Sequence, residues 1–318
     1  MRLISKIREY GFSGLARKAV LRWLKIENHE EKIKTLNYFL NKFHECSQLP
    51  PTDDADLRIM QKCDVVFLGI FDKLCQKHKL TYWLDYGTLL GAVRHHGFIP
   101  WDDDTDLAMP REDYNRLTDA FKLEFESLGF SFDERPERPM MSVGLGYKHH
   151  TTGIWTDIYP VDTCLADKDQ FLAKNNIKAI CELYRNYYVK NYYKKKNHES
   201  LDKLAEYKQS LFSNLPSKDS EYLIHPMETM APITVSKPED IYPIKKMLFD
   251  GFELNVPQKT ELYLQQMYGK SFMKFPSEGV EHHGGEGTGR PPLKDWAKLN
   301  NVDMNEVYEH LLKVYNSL

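Results

Sequence analysis

The 318 residues carry 43 Lys and Arg against 46 Asp and Glu, a formal net charge of −3, with 42% apolar and 28% charged residues. That balance excludes a disordered or fibrous chain and offers no overall basic charge, so nucleic acid is not an expected partner. Five cysteines with no CxxC pair provide neither a disulfide framework nor a zinc site, and they suit a reducing compartment.

The chain opens on a basic amphipathic segment, in which Arg2, Lys6, Arg8, Arg17, Lys18, Arg22 and Lys25 interleave with Leu3, Ile4, Ile7, Leu15, Leu21, Trp23 and Leu24. Such a segment lies on an anionic membrane surface or packs its apolar side on the rest of the protein, and both readings stay open. Charges recur too often for a signal peptide. The longest apolar run, Val65 to Phe71 between Asp64 and Asp72, is too short to span a bilayer. A cytoplasmic protein is expected, held at most peripherally at the inner face of the cytoplasmic membrane. Pro50-Pro51 marks a boundary. It divides a helical N-terminal segment, 1–50, from a main domain, 51–276, which is followed by a Gly-rich loop and C-terminal helix, 277–318.

Asp53, Asp54 and Asp56 open a helix whose Ile59, Cys63, Val66, Phe67, Ile70 and Leu74 follow helical spacing. Leu80 to Leu84 reads as a strand, Asp85-Tyr86-Gly87-Thr88 as a tight turn, and Leu89 to His95 as a helix broken by Gly97 and Pro100. Thr105 to Met109 is a further strand, with Asp104, Asp106 and Ala108 on one side. Arg111 to Leu128 has the pattern of one amphipathic helix closed by Gly129. Strands are expected at Phe130 to Phe132, Met141 to Lys148 and Ile154 to Tyr159. From Asp167 to about Phe212 the chain is helical and Tyr-rich, and the Lys194-Lys195-Lys196 run reads as a solvated face. Short strands follow within 222–256, then helices at Lys259 to Tyr268 and Val302 to Ser317. The expected class is α+β, a mixed sheet in the middle of the chain with additional helices at both ends.

Trp101-Asp102-Asp103-Asp104-Thr105-Asp106-Leu107 is the segment richest in chemistry. Four carboxylates in five positions repel one another unless a cation neutralises them. On a strand Asp104 and Asp106 point the same way, as two ligands of one hard divalent ion would. A bare acidic run is usually a solvated turn; here strand-forming Leu107-Ala108-Met109 follow directly and Gly87-Thr88 precede at the start of a helix, where backbone N–H groups suit a phosphate.

From Tyr82-Trp83-Leu84-Asp85-Tyr86-Gly87-Thr88-Leu89-Leu90-Gly91-Ala92-Val93-Arg94-His95 through His96-Gly97-Phe98-Ile99-Pro100 to Trp101-Asp102-Asp103-Asp104-Thr105-Asp106, the chain resembles the LicD/fukutin family signature almost position for position. Trp155-Thr156-Asp157-Ile158-Tyr159-Pro160-Val161-Asp162 is similar to a later element of that family, and Lys246 to Tyr268 is more loosely so. The resemblance implies a nucleotidyltransferase (polymerase-β-like) fold for 51–276, with Asp104, Asp106 and Asp157 as catalytic metal ligands. It also implies Mg²⁺ as cofactor, with Mn²⁺ as an alternative, and a CDP-linked donor such as CDP-choline. The acceptor would be the hydroxyl of a glycan of lipopolysaccharide or teichoic acid type, free or lipid-linked. Gly87, Thr88, Arg94, Asp85 and Asp103 are expected to bind substrate or to support the metal, and Arg94 could equally pair with Asp102 or Asp103. Asp162 reads as a cap or turn residue. His95 and His96 titrate in the useful range, but the fold class needs no histidine. The Gly-rich 281–292 stretch reads as a loop. Ribitol-phosphate, glycerol-phosphate or nucleotidyl transfer on the same fold are the alternatives, with an inactive binding scaffold as the non-enzymatic one.

Overall fold

The computed structural model describes residues 54–133, 143–147, 154–193, 201–227, 232–274 and 302–318. The expectations for residues 1–50, Lys194-Lys195-Lys196 and 281–292 lie outside the described residues.

Helix α1, Ala55–His78, starts where the Asp54 carboxylate accepts from the Asp56 and Leu57 N–H groups and stops at Lys79, whose φ of 56° is left-handed. Its middle is buried on all sides, from Cys63 through Cys75 with the single break of Lys73. Strand β1, Trp83–Leu84, follows, then α2, Tyr86–His95, and β2, Thr105–Pro110. The expected single helix after β2 is interrupted: α3, Arg111–Arg116, passes through a π turn, Leu117–Phe121, into α4, Lys122–Ser127. Leu117, Phe121 and Phe125 all reach the core across that turn, and Asp119 takes non-helical angles (φ −90°, ψ −131°) to allow it.

Strands β3 (Phe130–Asp133), β4 (Val143–Tyr147) and β5 (Trp155–Ala166) complete the central sheet in the order β1-β2-β5-β4-β3. Its only parallel pair among the described strands is β2 with β5. Strand β5 is twelve residues long because its second half serves another partner, β6 (Ser220–His225), which pairs in turn with β7 (Thr234–Ser236). Between them run α5 (Gln170–Tyr188), a π turn at Val189–Tyr193, and α6 (Leu201–Ser213). After β7 come the short α7 (Pro238–Ile241), the hairpin β8 (Lys245–Phe249) and β9 (Phe252–Val256), α8 (Thr260–Tyr268) and α9 (Met304–Ser317). The α+β expectation therefore holds as a mixed sheet flanked by helices.

Two cores form. The larger lies between α1 and the first half of the sheet, where Phe67, Phe71, Phe121, Phe125 and Phe130 pack edge to face or stacked. The smaller joins α5 to β6 and β7 through Ile177, Cys181, Tyr184, Ile224 and Val235. Cys63, Cys75, Cys164 and Cys181 are buried thiols. Among the described residues no helix is long and apolar enough to cross a membrane.

Candidate active site

The parallel pairing of β2 and β5 sets Asp106 beside Asp157 in register. Paired strands run about 4.8 Å apart, so these two half-buried carboxylates project from adjacent positions. Trp155, Asp157 and Tyr159 share one face of β5. The Trp155 indole N–H donates to Asp157 Oδ1 at 2.7 Å and fixes its orientation. On the opposite face Thr105 and Thr156 meet hydroxyl to hydroxyl at 2.6 Å in the interior, so a one-residue slip of register would exchange acids for threonines.

The turn into α2 braces β2 from its other edge. The Asp106 N–H donates to Thr88 Oγ1 at 2.8 Å, and the Asp85 N–H donates to the Asp106 carbonyl at 2.9 Å. Both peptide groups of Asp106 are thereby held. A Cβ at Gly87 would stand 2.8 Å from Asp102 Oδ2, so a larger residue there would displace that carboxylate. Gly87 and Thr88 were expected at a phosphate; in the structure the glycine makes room for Asp102 and the hydroxyl serves β2. Asp85 lies fully buried beneath the site, with its carboxylate in ion-pair contact with His225. Asp85, expected to bind substrate or to support the metal, is 0% exposed here. Tyr86 begins α2 at a φ of 38°, a strained value for a side chain of that size, and packs against Tyr159 and His225.

Asp102, Asp103 and Asp104 each offer a carboxylate oxygen within 4.8 Å of the others. Asp104 belongs to this group and also to the expected Asp104, Asp106 and Asp157 set. The loop that carries the acids is pinned from behind. Gln61 Nε2 donates to the Asp102 carbonyl at 2.9 Å, and the Asp250 carboxylate accepts from the Phe98 N–H and from Arg58. Arg94 is enclosed, donating Nε–H to His95 Nε2 at 2.9 Å with its guanidinium 6.0 Å from the Trp101 ring centre. Burial holds its guanidinium below the usual range, while the nearby Asp102 charge works the other way. Burial, then Arg94, then His96 push the His95 imidazole down to about 4, which leaves it neutral near pH 7 and able to accept from Arg94.

The acids at this end of the sheet repel one another. Burial, then Asp104, Asp157, Asp85 and Asp102, push the Asp106 carboxyl well above the usual carboxylate range. Two phenols face the same acids. Burial followed by the Asp106 charge raises both the Tyr159 and the Tyr268 hydroxyl, although Tyr268 leaves 42% of its surface open. They stay protonated and can donate. The donor set consists of carboxylate and phenol oxygens, which fits a hard divalent ion such as Mg²⁺ or Mn²⁺ and does not fit a thiolate or imidazole metal.

Sequence reasoning missed three members of this neighbourhood. Tyr159 was detectable, two residues beyond Asp157 on a strand. Tyr268 and His225 come from distant elements with no local signal. Asp162 is also corrected. It is neither cap nor turn but mid-strand, where its two oxygens take Arg111 Nε and Nη2 at 2.9 and 2.7 Å and Lys208 Nζ at 2.7 Å.

The comparisons with known proteins fall on this same stretch. Residues 79–182, about a third of the chain, match the family described as LicD/FKTN/FKRP, nucleotidyltransferase domain. The chain therefore carries a LicD-family domain, and it contains all of β1, α2, β2 and β5. The lipopolysaccharide cholinephosphotransferase LicD of Haemophilus influenzae is 48% identical over 65 residues, 20% of this chain and 24% of that protein. An uncharacterized protein of Rickettsia prowazekii is 36% identical over 91 residues, 27% and 34% of the two chains. The mouse ribitol 5-phosphate transferase FKRP is 34% identical over 85 residues, 26% and 17%. The matched stretch thus spans about a third or less of each relative's length.

Proposed function

We propose that the protein is a Mg²⁺-dependent phosphotransferase that moves an alcohol phosphate, phosphocholine first among them, from a CDP-linked donor to a hydroxyl of a cell-surface glycan. The observation that carries this reading is the registered pair Asp106 and Asp157 on adjacent parallel strands inside the LicD-family domain. Similarity to a cholinephosphotransferase at 48% identity supports phosphocholine; similarity to a ribitol 5-phosphate transferase keeps ribitol phosphate as the second reading.

Asp104, Asp106 and Asp157 would hold the cation, with Asp102 and Asp103 beside them. When bound, it would neutralise the diphosphate of the donor and stabilise charge on the departing nucleotide. The protein's own groups then have defined tasks. Thr88 and Asp85 fix the backbone of Asp106, and Trp155 aims Asp157. Asp157 accepts the proton of the acceptor hydroxyl as its oxygen bonds to phosphorus; the bond from phosphorus to the CMP oxygen breaks, and CMP leaves with that electron pair. The phenols of Tyr159 and Tyr268 donate to phosphate oxygens on the open side.

The test is thermal unfolding of the protein with Mg²⁺ against CDP-choline, CDP-ribitol, CDP-glycerol and CTP, since a ligand of the native state raises Tm. A rise with CDP-choline that requires Mg²⁺ is expected. A rise with CDP-ribitol alone would favour the second reading, and no rise with any CDP-alcohol would overturn the donor class.

A further inference from the structure

Helices α1, α2, α5 and α9 each begin at an aspartate, in turn Asp54, Asp85, Asp169 and Asp303. Three of these do what the position favours. The carboxylates of Asp54, Asp169 and Asp303 accept backbone N–H groups of the first helical turn. Asp85 makes no such bond. Its Oδ2 is instead in ion-pair contact with Nε2 of His225, and both residues are buried, at 0% and 1% exposed. The turn into α2 has therefore given up its side-chain cap for a contact with β6.

The imidazole stands where both acid-bearing strands are held. The Asp85 N–H donates to the Asp106 carbonyl at 2.9 Å, so the residue whose side chain meets His225 is the one whose backbone fixes β2. The second ring nitrogen, Nδ1, lies 3.4 Å from the carbonyl oxygen of Pro160 on β5, three residues beyond Asp157. Aromatic rings surround it as well. Tyr86 and Tyr159 pack at 5.1 Å between centroids, and His225 lies 5.5 Å from the first and 5.8 Å from the second. Tyr159 is the phenol on the Asp157 face of β5. Tyr86 keeps its left-handed φ of 38° inside this three-ring cluster, as strained backbone does only where its surroundings fix it. His225 is itself tied down, its carbonyl accepting from Thr234 Oγ1 at 2.9 Å.

We propose that His225 is a positioning residue for the transfer reaction: from β6 it draws the Asp85 carboxylate out of the cap of α2, fixes the turn that holds Asp106, and seats Tyr159 on the Asp157 face of β5. This deepens the reading of Asp106 and Asp157 as the cation-holding pair and rests on it. His225 is enclosed and acts only through Asp85 and Tyr159. Replacing a group one step removed from a metal ligand commonly changes metal affinity or turnover by about 10–100-fold, whereas a residue that only fills the core changes stability and leaves each folded molecule as active as before.

The experiment compares full-length variants at matched folded fraction in two assays: Mn²⁺ affinity, from the electron paramagnetic resonance signal of free Mn²⁺, and CMP release from CDP-choline. His225→Phe keeps a ring against Tyr86 and Tyr159 but removes both nitrogens. It should weaken Mn²⁺ binding and lower kcat, each by about 10–100-fold, with donor KM little changed. His225→Gln returns an amide that can donate to Asp85 and should recover most of both losses. Asp85→Asn, nearly isosteric, removes the same contact from the other side; it should show the same losses, and adding it to His225→Phe should cost little more. Asp162→Ala, which breaks a buried pair elsewhere on β5, should lower Tm and spare both readouts. Wild-type Mn²⁺ affinity and kcat in His225→Phe would overturn the proposal, as would fully additive losses in the double variant or equal losses in Asp162→Ala. A wild type that binds Mn²⁺ but transfers nothing, with binding weakened by His225→Phe, would sink the donor class and leave the positioning role standing. A wild type that neither binds Mn²⁺ nor transfers would sink both.

Discussion

Replacing Thr88 by Val keeps the shape of the side chain and deletes the acceptor of the Asp106 N–H. The bond is 2.8 Å long and Thr88 is 2% exposed, so water has little access to take its place. A buried N–H left without a partner costs about 1–3 kcal/mol. For a body of roughly 150–250 residues each kcal/mol shifts Tm by about 2–4 °C, giving an expected fall of roughly 2–12 °C. Because β2 carries Asp106 at this point, the strand start also shifts, and displacements of that kind reduce kcat by up to about 100-fold while donor KM changes little. Thr88→Ser retains the acceptor and should behave as wild type. Thermal unfolding by circular dichroism and initial rates of CMP release measure both effects. A Thr88→Val protein that melts with wild type but loses donor affinity would show that the hydroxyl binds substrate and not the strand.

Asp106 titrates above its unfolded value in the folded protein, so its contribution to stability is full below about pH 4 and is lost as pH rises through the folded value. Without divalent ions, Asp106→Asn should therefore melt above wild type by a margin that grows from pH 4 to pH 7; a margin independent of pH contradicts this. Burial raises the Asp162 carboxyl, but Arg111 and Lys208 together hold it below the usual range. Its contribution is accordingly present above the unfolded pKa and lost on acidification through the folded one. Asp162→Ala should cost about 3–5 kcal/mol at pH 7 by urea unfolding, and less near pH 3; an equal cost at both would refute the pairing. Gly91→Ala would set a Cβ 2.5 Å from the Gly97 carbonyl oxygen and should cost about 1–3 kcal/mol. No loss in the same assay would mean that the loop ahead of the acidic run yields freely.

Much of the site could be read in the sequence because its parts are local. The strand at Thr105 to Met109 lies where expected, and the helix expected from Leu89 starts earlier, at Tyr86, so that Gly87 and Thr88 belong to its first turn. Asp157 came from family resemblance, and the β2 and β5 register supplies a geometric reason for its place beside Asp106. What escaped is answered from far along the chain. Asp162 looked like a turn residue because Arg111 and Lys208 stand 51 and 46 positions away. The contact between Asp85 and His225 has no local signal because His225 arrives on β6. The π turn at Leu117–Phe121 is invisible to helical periodicity, since an interrupted helix can still direct the same side chains to one core.

Release of CMP from CDP-choline, in the presence of Mg²⁺ and a bacterial surface glycan as acceptor, compares wild type most directly with Asp106→Asn and Asp157→Asn at matched folded fraction. Wild type should release CMP as phosphocholine appears on the glycan, and each variant should turn over about 100-fold to 10,000-fold more slowly. An Asp157→Asn protein working at the wild-type rate, or a wild type that transfers nothing from any CDP-linked alcohol, would contradict the assignment of this acidic pair to phosphoryl transfer.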